Sequence, residues 1–318
     1  MNTEIDHGTK KNLINKAGVG YYDFIKQLTP NYFLLWVQLL SGQISLLAIA
    51  GVLLIFQLKS IAAIIFMAGL GGILFGYALA YIMLFFHEAA HYNIAKTRIL
   101  NDRLANIFIG AFFGQDIKNY RSIHYGHHRH HGQIDDTEHT YFDPINLEFI
   151  VTSLTGIKLF KVLRDRKKRL KSMQTPSNPG SGIQLALGIF INSSILAMAY
   201  HQRAWTMALA WLLGLFIFFP FFAAVRQVLE HRNESAKSTE DYYKTPHGIV
   251  NRLFGDGPWA SSFGGAGFNR HLLHHWEPKI SYTRLKEFEI YLRDTQIGAR
   301  VQERTTTYWK TFRGIFNH

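Results

Sequence analysis

The sequence predicts an all-α membrane protein, with four transmembrane helices in two hairpins, a cytoplasmic histidine-rich cap and interfacial helices. Three observations carry this expectation. Four apolar runs, at about 32–57, 61–86, 183–200 and 205–225, approach or exceed the roughly 20 helical residues that cross a bilayer. Charged residues make up only 18% of the 318-residue chain, yet its net charge is +12, and nearly all of that charge lies outside the runs. Nine of the sixteen histidines fall near the ends of the runs or in the polar stretches beyond them, in a spacing that an apolar core has no reason to produce.

Residues 1–31 are polar, with neither the apolar stretch nor the cleavage site of a signal peptide, so insertion is expected to begin at the first internal run. That run, 32–57, is joined to the uncharged run 61–86 by Leu58-Lys59-Ser60 alone, which predicts a tight helical hairpin. Segments 104–113 and 147–160 are too short or too mixed to span, and read as helices lying in the interface. The second leads into the basic tract 161–171, which suits anionic lipid head groups. The breaker-rich stretch 175–182 marks a loop, and His201-Gln202-Arg203 joins the last two runs in another short turn. The two turns hold one Lys and one Arg. The N-terminal arm, the middle loop and the C-terminal third hold the rest, so the positive-inside rule places those segments and their histidines in the cytoplasm. The chain divides into a cytoplasmic arm (1–31), a membrane domain (32–295) and a C-terminal tail (296–318). Its basic balance is read as a membrane signature, and no nucleic-acid partner is expected.

The absence of cysteine excludes disulfides, iron–sulfur clusters and thiolate sites, so any metal must use nitrogen and oxygen ligands. His87 and His91 are spaced i, i+4. His124, His127 and His128 are spaced i, i+3, i+4, and His271, His274 and His275 repeat that pattern, so on helices each group shares one face. Neutral imidazole suits Fe, Zn, Cu and Ni. With His231 these nine ligands are too many for one ion and suit two ions, with roughly four or five ligands each. His87-Glu88-Ala89-Ala90-His91 also satisfies the HExxH pattern of zinc proteases, in which the Glu is the base. An intramembrane protease is thus a competing reading, but it leaves the six histidines of the other two groups unused.

HEAAH at 87–91, Tyr120-Arg121-x-x-His124-x-x-His127-His128 and His271-x-x-His274-His275, carried in this order by two apolar hairpins, resemble the membrane-bound fatty acid desaturase superfamily. The resemblance covers about 30–295. It implies a four-helix transmembrane bundle with a cytoplasmic cap and a non-haem centre of two Fe ions on the cytoplasmic side, in a bacterial inner membrane or the endoplasmic reticulum. It implies as ligands His87, His91, His124, His127, His128, His271, His274 and His275. Glu230-His231 resembles a pair that follows the last span in several branches, which makes His231 the ninth. His130 and His131 extend the middle box and are expected to support the ligands or lie at the surface. Among nearby carboxylates (Glu88, Asp135, Asp136, Glu138, Asp143, Glu230 and Glu277), Glu230 and Asp143 are the favoured acceptors for ligand N–H groups. Asn269 is expected to act through a bound water. His7, His139, His201, His247 and His318 are expected to take no part.

The implied activity is O2-dependent desaturation of a fatty acyl chain carried by lipid, CoA or acyl carrier protein. Hydroxylation or ketone formation on a lipid, alkane or carotenoid is the alternative for the same site. No residue beyond the metal centre is assigned a catalytic role. The chain shows no dinucleotide fingerprint, cysteine cluster or haem-binding region, so a separate ferredoxin or b-type cytochrome with its reductase is implied. Its basic segments suit an acidic donor or an acyl carrier protein. The glycine-rich stretch 263–268 is expected to let backbone pass close to an acyl chain or a neighbouring helix. The aromatic runs 81–86 and 216–222 are expected to line an apolar tunnel to the metals.

Overall fold

The polar arm folds into two short helices, α1 (His7–Asn12) and α2 (Tyr21–Gln27), and the first two apolar runs become α3 (Tyr32–Ile55) and α4 (Ile61–Ala90). These belong to a computed structural model that describes residues 5–55, 58–138, 140–172, 180–233, 235–237, 240–243 and 250–316. After α4 come α5 (Arg98–Ala105), α6 (Ile117–His130), α7 (Leu147–Leu154) and α8 (Ile157–Ser172). The last two apolar runs form α9 (Gly180–His201) and α10 (Trp205–His231). The C-terminal third adds α11 (Pro258–Phe263), α12 (His271–Trp276), α13 (Leu285–Arg293), α14 (Gly298–Glu303) and α15 (Tyr308–Phe316). No β-strand occurs among the described residues.

α3, α4, α9 and α10 are the four helices long and apolar enough to cross a membrane. Their bounds correct the apolar runs. α4 continues past residue 86 to Ala90, and α10 continues past residue 225 to His231. Hydropathy marks where lipid can lie, whereas a helix runs on until its backbone hydrogen bonds find another partner. At 1.5 Å per residue α4 is about 45 Å long, against a hydrocarbon layer of roughly 30 Å, so it has length to spare outside the lipid. The loop expected at 175–182 is already helical from Gly180, and 175–179 lie outside the described residues, as do 56–57.

Gly42 lies against Tyr81 and Ile82, while Leu53 lies against Gly71, so α3 and α4 run in opposite directions. The Asn192–Trp211 hydrogen bond (3.0 Å) and the Tyr200–Trp205 ring contact pair α9 with α10 in the same sense. Glycine lets α4 and α10 touch backbone to backbone: a Cβ at Gly76 would stand 2.7 Å from the carbonyl carbon of Phe218. Phe218 belongs to a single π-helical turn in α10, Gly214–Phe218.

The segment formed by α5 and its helical continuation, a π-helical turn (Asn106–Gly110) and Ala111–Phe113, is held by polar side chains from two spans. Gln43 donates to the Phe108 carbonyl (2.7 Å) and Asn192 to that of Phe112 (3.0 Å). Residues of the arm and the tail join the cores beneath the histidines. Leu13 and Tyr21 pack with Leu272, Leu273, Trp276 and Phe288, and Ile315 packs with Val228 and Leu229.

Candidate metal centre

Each histidine group sits at the end of a helix or along one face of it, and buried arginines bind those ends into one body. The last carbonyls of a helix lack intrahelical donors. For α4, Arg121 donates to the carbonyls of Ala89 and Ala90, Asn101 donates to Ala89, and the Tyr125 hydroxyl donates to Ala90. For α10, Arg252 donates to the carbonyls of Leu229, Glu230 and Arg232. Arg232, with none of its surface exposed, donates to the carbonyls of Tyr141 and Asp143. Short residues cannot span these gaps, whereas arginine offers several donors on one planar head.

These tethers bring all nine candidate histidines together in two sets. His87, His91, His124, His128 and His274 form one, and His127, His231, His271 and His275 form the other; within each, one nitrogen per ring lies within 4.8 Å of every other. His128 and His275 stand 4.5 Å apart ring to ring, so the sets share a wall. Eight of the nine are buried and His128 is half-buried.

The spacing within each set points to a shared ion. His124 Nε2 lies 2.8 Å from His91 Nε2 and 2.9 Å from His128 Nε2, and His271 Nε2 lies 3.0 Å from His231 Nε2 and 3.1 Å from His275 Nε2. An imidazole nitrogen carries one lone pair or one proton, so neither hub can hydrogen-bond to both of its neighbours. Two nitrogens about 2.1 Å from one ion, at a right angle, stand roughly 3.0 Å apart, which matches these separations. Neither ring nitrogen of buried His87 has a hydrogen-bond partner, a costly state that a bound ion relieves. Burial, followed by the charges of neighbouring histidines, holds His128, His271 and His275 well below their ordinary pKa, so they stay neutral as ligands must. A metal therefore fits these residues.

Carboxylates orient the outer nitrogens. Asp136, fully buried, accepts from His127 Nδ1 at 2.8 and 3.0 Å, and also takes bonds from Tyr141 and the Gly132 and Glu138 amides. Burial alone would lower the pKa of His127, but the charge and hydrogen bonds of Asp136 reverse this and raise it. Glu138 lies 3.5 Å from His124 Nδ1; Glu230, by contrast, lies 3.3 Å from Arg226 and 3.9 Å from His271 Nε2, the inner nitrogen, so it does not hold an outer one. His131 donates to or accepts from His231 Nδ1 at 2.9 Å and stacks on His275.

Two expected supports are engaged elsewhere. Asp143 pairs with Lys158 at 2.5 Å, and the Asn269 amide donates to the Gly255 carbonyl. Asp143 faces away because the turn at Gly132 (φ 72°) folds Asp136, not Asp143, back over His127. Gly132, directly after the middle box, is the sequence signal that could have favoured Asp136. Glu277 bonds Lys10 and Tyr21, and Asp135 is exposed. Glu88 accepts from the Tyr282 amide at 3.2 Å. His7 and His201 are exposed outside the sets, and His139, His247 and His318 lie outside the described residues.

Beside the first set lies a cavity of about 110 Å³ between α4, α8 and α10. Tyr120 and Glu138, both in contact with His124, line its inner part. Of the expected tunnel aromatics, Phe219 lines this cavity, while Phe85 and Phe86 are fully buried in the core.

The sequence model of one family, described as Fatty acid desaturase, matches residues 63–307. None of the curated proteins compared matches the chain. The match displaces the protease alternative, because it takes in the six histidines that a single zinc site leaves idle. Spanning well over half the chain and all nine histidines, it establishes that this membrane protein belongs to the fatty acid desaturase family, oxidoreductases of the desaturase and hydroxylase type.

Proposed function

We propose that the chain is a diiron fatty acyl desaturase whose metals lie on the cytoplasmic face. The observation that carries this reading is the division of nine convergent imidazoles into sets of five and four. In this reading His87, His91, His124, His128 and His274 hold one iron, and His127, His231, His271 and His275 hold the other. Bound iron supplies the activation of O2 that removal of hydrogen from an unactivated methylene requires. The balance is –CH2–CH2– plus O2, two electrons and two protons giving –CH=CH– and two waters, with the electrons from an external one-electron carrier.

The protein's own residues do the rest. Asp136 fixes the tautomer of His127 by accepting a hydrogen bond from its Nδ1–H, which leaves Nε2 for the metal. Tyr120 and Phe268 pack on ligand rings and keep water from the reacting carbon. Met83 and Phe219 form the walls against which a methylene is oriented.

Metal analysis with lipid mass spectrometry tests this. About two irons per chain and a product lighter by two hydrogens are expected. A single zinc overturns the diiron reading, and a product that has gained oxygen replaces desaturase with hydroxylase.

A further inference from the structure

We infer that the acyl chain reaches this centre sideways from the bilayer, as a chain of an anionic glycerophospholipid passing between α8 and α10, and not from water as a soluble thioester. This rests on the desaturase reading above and names its substrate class. Three observations carry it.

The first is depth. Ala80 and Met83 lie about two turns and one turn before His87 on α4, and Phe219 and Ala223 about three and two turns before His231 on α10. The cavity they line therefore runs along two membrane spans, at the level of lipid, from Tyr120 and Glu138, which lie against His124.

The second is the rim. Leu159, Val162 and Leu163 of α8 close the outer side, and Leu163 is 43% exposed, so the cavity opens past it. The α7–α8 junction sits at that depth too, because Gly156 meets the Phe216 carbonyl, where a Cβ would stand 2.7 Å away. Of the charged groups on the wall, Lys158 pairs with Asp143, Arg226 pairs with Glu230, and Glu138 lies against His124 and accepts from Gln227, so each faces a polar partner. A dry apolar cavity of roughly 150 Å³ holds one benzene, so about 110 Å³ takes only a few methylenes and the remaining chain must extend through the rim.

The third is the outer surface. Leu147, Ile150, Val151, Leu154, Ile157 and Phe160 form an exposed apolar face, which lipid covers and water does not. Lys161, Arg164, Lys167 and Lys168 are exposed beyond it on α8, with Asp165 the acid among them. A basic row above an apolar face holds an anionic head group at the mouth through which its own chain enters.

The test uses the full-length protein in nanodiscs of mixed phosphatidylglycerol and phosphatidylcholine, with a trace of phosphatidylglycerol bearing a diazirine in its acyl chain. Labelled peptides are mapped by mass spectrometry, and neither iron nor turnover is needed, so failure here is separable from failure of the desaturase reading. Label is expected on Met83 and on 219–224 as well as on outward-facing Phe160. Ala223→Trp, which fills the cavity, and Leu163→Trp, at the exposed rim, should each cut the inner label about fivefold and spare Phe160. Reversing the charge of Lys161, Arg164 and Lys167 should cut inner labelling about tenfold for this probe, relative to the same diazirine chain on phosphatidylcholine. Label confined to outer surfaces overturns the inference. So does inner label unchanged in both tryptophan variants, loss of inner label to added palmitoyl-CoA but not to unlabelled phosphatidylglycerol, or equal response of the two probes to charge reversal.

Discussion

Asp136 and Asp143 show how seven residues of chain separate a group that serves the site from one that does not. Asp136 holds the outer nitrogen of His127, and Asp143 neutralises Lys158. Asp136→Asn keeps the shape but weakens the acceptor for His127. Metal affinity should fall by about 10–100-fold, the usual effect of losing a carboxylate behind a ligand, read as metal retained after dialysis against a graded chelator. Asp143→Asn should leave metal retention unchanged and lower the melting temperature, since it strands a buried ammonium. Equal metal loss in both variants would contradict the assignment of Asp136. The preference for Asp143 failed at this scale because proximity in sequence does not say which way a turn folds, and Gly132 decides that.

The helices position the histidines through their ends and through close contact. Arg252 satisfies three carbonyls at the end of α10, and each buried carbonyl left unpaired costs about 1–3 kcal/mol. Arg252→Ala should therefore loosen the turn that carries His231 and lower both the melting temperature and the content of the second metal. Metal content equal to wild type would show that the histidines alone hold this end. At Gly76 a Cβ meets Phe218 backbone, so Gly76→Val forces α4 and α10 apart at a cost of about 2–3 kcal/mol. It also shifts His87 relative to His231. A melting temperature within error of wild type would mean that the contact is softer than the geometry implies. The helix types were legible in the apolar runs, but their true ends were not, because the capping arginines come from segments distant in sequence.

Across the whole molecule, gathering so many neutral imidazoles makes the metal-free protein sensitive to acid. His91, His128, His271, His274 and His275 lie below their ordinary value of 6.5, burial first and neighbouring histidine charge second. Below that pH the unfolded chain takes up protons that the folded chain refuses, so stability is full above about 6.5 and falls as pH drops. His127, whose pKa is raised, opposes this only in part. Melting of chelator-stripped protein should shift down between pH 7.5 and 5.5, and readdition of ferrous iron should shift it up at either pH; a flat profile would count against neutral burial of the sets. By itself the sequence determined the four spans, the exclusion of thiolate ligands and the set of nine candidate histidines, because composition, apolar length and helical periodicity are local properties. Only the tertiary structure decided the division into five and four, the supporting role of Asp136, and the use of Leu13, Tyr21 and Ile315 as packing beneath the site. Periodicity sets which face of a helix a side chain shares, but the register between helices far apart in the chain is set by packing, here by glycine contacts and buried arginines.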